Sequence, residues 1–199
     1  MPLRGWGLAG GLLLIATSSS LEVLNAAQEP VVRVLVLDST DLRFRADGDQ
    51  PLLVLGLGPH QKRVSTVKIR KNNGRYTFAI NGSSARWSYF PINKQLRITS
   101  KDPRGIWLGK RRYSGELRVF VKGGRLKVVN YLGIERYLVS VVGSEMPKSW
   151  PMAALKAQAV AASTYALQQL GKKDTYDINS TEANQVYLGI ESETESTRK

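Results

Sequence analysis

An α+β fold, with a β-rich amino-terminal part followed by two helices, is predicted by three observations. Residues 31–130 hold short β-branched or alternating runs broken by turn residues. Two of those breaks are glycine-containing hairpin signals. Beyond residue 130 the apolar spacing changes to three and four, the spacing of helices. A small barrel or sandwich is therefore expected over 31–130 and a helical segment over 131–171, with the remaining chain an incomplete carboxy-terminal part.

The strands follow in order. VVRVLVLD, residues 31–38, is β-branched, and DLRFRAD, residues 41–47, alternates apolar and charged side chains. PLLVLGLG, residues 51–58, is apolar and ends on glycine. TVKIRK and RYTFAI flank Asn72-Asn73-Gly74, and ELRVFV and RLKVVNYL flank Lys122-Gly123-Gly124, each pair reading as a hairpin. QLRITS, residues 95–100, is a further short strand. No repeat of fixed period is present.

Then come the helices. Ile134, Leu138, Val141 and Val142 place one apolar stripe on residues 132–142, and the stretch 143–147 breaks it. Ser149-Trp150-Pro151 opens a second helix, since proline at a helix start forfeits no hydrogen bond. Met152, Leu155, Ala159, Ala162, Ala166 and Leu170 form its narrow stripe, and Gly171 ends it. Residues 172–184 read as loop and 185–190 as a short strand or turn. The polar end, ESETESTRK, reads as a frayed terminus or as a cut within a larger domain.

Composition narrows the chemistry. Apolar residues make up 42% of the 199, enough to bury a core. There is no cysteine, which excludes disulfides, thiolate metal sites and cysteine nucleophiles. The one histidine, His60, lies in the loop-like GPHQK and reads as a surface residue, so a Ser-His-Asp triad or a multi-histidine metal site has little material. Residues 1–29 read as an export signal: Arg4, an apolar run over 7–16 too short for a bilayer span, then small and polar residues. Cleavage is expected near Ala26 or Ala27, with an uncleaved anchor as the alternative. The formal charge of +13 calls for an anionic partner. Export makes that partner the cell wall rather than nucleic acid.

Glu145 stands out among the carboxylates. It is read in a break between two helices, with Tyr137, Met146 and Trp150 close in sequence. Carboxyl groups packed on apolar surface hold their proton more readily, which suits a proton donor. Position alone does not separate this role from a surface or capping carboxylate.

The run YLVSVVGSEMPKSWPMAALKAQAVAASTYAL, residues 137–167, closely resembles the signature of the stage II sporulation protein D (SpoIID/LytB) family. The later YDINSTEANQVYLGI, residues 176–190, resembles the family's second conserved stretch, and the resemblance extends over residues 31–190. It implies a lytic transglycosylase that cleaves peptidoglycan glycan strands, with Glu145 as acid and then base. It places Lys156, Gln158, Gln185 and Tyr187 along the glycan groove. One carboxylate suffices for such a reaction, because the sugar's own 6-hydroxyl is a tethered nucleophile. Ordinary glycosidases need two, and a hydrolytic route here would call on Asp177 or Glu182. Ser163 replaces an arginine common in the family, and the family's glycine-rich continuation beyond the QVY stretch is not seen. No metal and no cofactor are expected. The alternative is a non-catalytic wall-binding protein or amidase enhancer that acts through a partner hydrolase. Either way the expected location is the periplasm or the cell wall.

Overall fold

The computed structural model describes residues 28–81, 88–89, 95–181 and 184–198. The expected export segment up to residue 27 lies outside the described residues, as does Glu182. The α+β expectation holds: thirteen described strands form two sheets, and two helices follow β12.

The strands are β1 (Val31–Ser39), β2 (Asp41–Arg45), β3 (Leu52–Leu55), β4 (Lys62–Val64), β5 (Thr66–Asn72), β6 (Arg75–Ile80), β7 (Ser88–Tyr89), β8 (Leu96–Ser100), β9 (Ile106–Leu108), β10 (Arg111–Tyr113), β11 (Glu116–Lys122), β12 (Arg125–Gly133) and β13 (Ile178–Asn179). One sheet runs β13-β1-β12-β11-β8-β3-β4, the other β10-β9-β2-β5-β6-β7. Period-two patterning decides which faces meet. Val32 and Val34, Leu117 and Val119, and Leu126 and Val128 turn inward from the first sheet. Leu42 and Phe44, Val67 and Ile69, and Ile106 and Leu108 turn inward from the second, and all belong to one buried cluster. At about 25 cal/mol per Å² of apolar area removed from water, such burial is the main stabilising term.

Both expected hairpins form. Asn73 and Gly74 adopt positive φ between β5 and β6, and Gly123 and Gly124 do so between β11 and β12. That backbone twist matches the twist of paired strands, so the turns also set the register. Asn72 thus pairs with Arg75, and Lys122 with Arg125.

Helix α1 (Ile134–Glu145) continues directly from β12. Gly133 provides no side-chain cap. The Glu29 carboxylate takes that place, accepting the Glu135 N–H at 2.8 Å, where a negative charge also complements the helix dipole. Helix α2 (Met152–Gln169) starts just after Pro151, as expected, and buries Leu155, Ala162 and Ala166.

The carboxy-terminal stretch differs from its polar appearance. Gly189–Ser192 and Ser196–Arg198 form short 3-10 turns that dock on α1. The buried Ser140 hydroxyl donates to the Gly189 carbonyl at 2.8 Å, and Ser192 Oγ donates to the Ser140 carbonyl at 3.0 Å. A side chain on Gly143 would meet the Ser192 carbonyl oxygen at 2.1 Å, so only glycine permits this approach. Arg112 and Arg136 pair with Glu191 and Glu193. The chain therefore does not fray over 185–198. Of residues 185–190, left open as a strand or turn, 185–188 pair with no described strand and carry the buried Gln185 and Tyr187, and 189–190 open the first 3-10 turn.

Candidate active site

Glu145 is the last residue of α1, one turn further into the helix than the sequence suggests. Met146 ends the hydrogen-bond ladder and Pro147 prevents its continuation. This half-buried carboxylate is held at both oxygens. Gln158 Nε2 donates to Oε2 at 2.6 Å, and the Val186 backbone N–H donates to Oε1 at 3.1 Å. Three separate chain segments thus fix one acidic group: the end of α1, the first half of α2 and the stretch before the terminal 3-10 turns.

Behind Glu145 lies a buried polar core. The Tyr137 hydroxyl donates to Gln185 Oε1 at 2.6 Å, and Gln185 Nε2 reaches the Ala162 carbonyl at 3.4 Å. The Tyr187 ring stacks on that of Tyr137 with centroids 5.5 Å apart, and Tyr113 lies 6.0 Å from Tyr187 on its other flank. The Tyr187 hydroxyl donates to Asn130 Oδ1 at 2.7 Å, while Asn130 Nδ2 donates to the carbonyls of Ser114 and Glu116. Burial, and after it the Glu145 charge, pushes the Tyr137 phenol far above its ordinary range. Burial raises Tyr187 likewise. Both hydroxyls therefore stay protonated and serve as fixed donors.

The five expected site residues separate. Gln158 reaches Glu145 directly. Gln185 and Tyr187 are buried, at 6% and 1% exposure, so their side chains stabilise the wall behind the carboxylate instead of lining a groove. Lys156 is exposed and lies two residues from Gln158, about 200° away around the helix. It lines a separate cavity of about 300 Å³ between α1 and α2, together with Glu135, Leu138, Met152 and Arg198. Trp150 is half exposed beside the start of α2. Asp177 is committed elsewhere, paired to Arg33 at 2.6 Å. Among the described residues, no three His, Cys, Asp or Glu side chains converge as a metal site.

Two contributors escaped sequence reading: the Val186 amide and Asn130. Asn130 is fully buried and interrupts the apolar run over residues 128–132 of β12, and that interruption was its available signal. A backbone donor leaves no such mark.

Residues 122–199 match the family model described as SpoIID, Stage II sporulation protein. Over this stretch the chain is similar to the SpoIID family. It contains β12, both helices and the terminal turns, so Glu145, Gln158 and Val186 all fall within the SpoIID match. Strands β1 to β10 precede it. An uncharacterized protein of Brachyspira hyodysenteriae is 43% identical over 90 residues, which is 44% of this chain and 24% of that relative. The chain thus aligns with about a quarter of the relative's length. No solved structure matches.

Proposed function

We propose that the SpoIID stretch carries a peptidoglycan lytic transglycosylase site with Glu145 as its acid and base. The observation that supports the reading is a half-buried carboxylate whose two oxygens are each held by an N–H donor. In the reaction, Glu145 gives its proton to the oxygen of the glycosidic bond that breaks. The 6-hydroxyl of the same sugar then attacks the anomeric carbon, and Glu145 takes its proton. A 1,6-anhydro ring results and no water is consumed. Asp177, tied to Arg33, is not at hand for a two-carboxylate route. The substrate places the protein at the wall, whether in a periplasm or at a cell surface.

Incubation with purified glycan strands should release 1,6-anhydromuramyl products, identified by mass spectrometry. Reducing ends without the anhydro bridge would indicate hydrolysis and overturn the mechanism. Binding without any cleavage would favour the amidase-enhancer alternative and a partner hydrolase.

Gln158 is a positioning residue in this scheme. Gln158→Leu keeps bulk but leaves Glu145 with a single donor. It should lower kcat by about tenfold to a hundredfold with KM little changed, because the acid loses its orientation more than the substrate loses contacts. An equal loss in KM would assign Gln158 to substrate binding.

A further inference from the structure

The two sheets treat their outward-facing cations differently. On the central strands β1, β11, β12 and β8 of the seven-stranded sheet, two carboxylates gather four of them. Glu116 accepts from Arg97 at 2.7 Å and also from Arg118, and Asp38 holds Arg125 and Lys127. On the six-stranded sheet, Leu42, Phe44, Val67 and Ile69 face the core, so Arg43, Arg45 and Lys68 face outward. Arg43 stands directly opposite Lys68 in the β2–β5 ladder, and Arg45 lies two residues along the same strand. That puts three cations within roughly 5–7 Å of one another at their Cβ atoms. Like charges facing each other across a ladder are unfavourable, and no carboxylate among the described residues pairs with Arg43 or Lys68.

Arg45 is also held rigid. Its guanidinium carbon sits 4.1 Å from the centre of the Trp107 ring, whose other close cation is Arg112 at 5.0 Å. Trp107 is itself anchored by donating to Asp47 at 2.7 Å. Asp47 and Glu191 neutralise Arg112. Arg45 therefore sits over an aromatic face, a site that favours a guanidinium.

We infer that the Arg43–Arg45–Lys68 face is a second wall-binding surface, which engages free stem-peptide carboxylates of strands other than the one being cleaved. This rests on the wall reading above. The cations are interspersed with carboxylates, Asp41 on the same strand and Asp47 in the loop after it. Such an array suits separate, sparsely spaced carboxylates. Nucleic acid would call for a longer continuous run of phosphate contacts. Guanidinium forks bind carboxylates in bidentate fashion.

The test is retention on purified sacculi at about 0.1 M salt, where surface charge still acts over about 10 Å. The Arg43→Gln/Lys68→Gln variant, which leaves the Arg45 stack intact, should bind at least tenfold more weakly and show a flatter salt dependence. Its melting temperature should hold or rise, because a repulsive pair is removed. Cleavage of short soluble glycans should be unchanged. Lys172→Gln/Lys173→Gln removes the same charge elsewhere and should bind like the wild type. Sacculi freed of phosphate polymers should still retain the protein, whereas sacculi with amidated carboxylates should not.

Equal binding by wild type and the Arg43/Lys68 variant would overturn the surface assignment and leave the wall reading standing. Equal loss in both double variants would reduce the effect to net charge and overturn it too. Dependence on the phosphate polymer, or tighter binding to duplex RNA, would overturn the choice of ligand. Failure of the wild type to bind any sacculus would instead sink the wall reading itself.

Discussion

Glu145→Gln should lower the rate of anhydromuramyl release by about two to four orders of magnitude, the usual size of a general acid-base contribution. The substitution is nearly isosteric and its surroundings can absorb it. A glutamine at 145 keeps its carbonyl oxygen for the Val186 N–H. Its new NH₂ would face the donor from Gln158. Gln158 can rotate its amide and present oxygen instead, which restores a donor to an acceptor. Melting temperature and circular dichroism should therefore match the wild type, so that the loss reads on chemistry alone. Undiminished activity would remove Glu145 from the mechanism.

Asp177→Ala should have the largest effect on stability. Asp177 is 2% exposed and accepts four contacts: the Arg33 backbone N–H, the Arg33 Nε and Nη2, and the Gly171 N–H. Breaking a buried pair of this kind costs about 3–5 kcal/mol. Arg33 keeps 23% exposure and can turn toward water, which favours the lower end of that range. A fall of about 6–12 °C in melting temperature is expected for a chain of this size. The pH dependence follows from the same contacts. Burial alone would raise the Asp177 carboxyl, but the Arg33 guanidinium and the two backbone N–H donors outweigh it and hold it below the usual range. A depressed carboxyl contributes its stability above its unfolded value, about 3.9, and loses it as pH falls toward the folded value. Wild-type and Asp177→Asn stabilities, measured by denaturant titration from about pH 5 down to 2, should converge on the acid side. A gap that stays constant would show that proton linkage at Asp177 is not its source.

Sequence legibility followed the reach of each interaction. Strands β1, β2, β5, β6, β11 and β12 announced themselves because five to nine residues suffice for period-two alternation, and their glycine turns are local. β9 and β10 are three residues each, and β13 two, too short for any period to register. Helix α2 was readable at both ends from Pro151 and Gly171. The extent of α1 was not, since Gly143 and Ser144 resemble a break, although Gly143 is kept for its contact with Ser192. The tail misled for a related reason. Its serines and glutamates find partners at Ser140, Arg112 and Arg136, about 50 to 80 residues earlier. Glu145 could be singled out, but its two holders could not be told from Lys156 or from the buried Gln185 and Tyr187.

The segment 185–187 alternates, with two side chains turned into the protein and the amide between them turned to Glu145. Substitution data will therefore read it in reverse. Val186→Ala should be close to silent, because the N–H survives any ordinary replacement. Gln185→Ala and Tyr187→Ala should damage folding and so look like the sensitive positions. Proline is the one natural residue that deletes the donor, and at 186 it should lower activity well beyond its effect on melting. Tolerance at 186 thus marks a position in use through its main chain, where the identity of the side chain carries almost no information about the role.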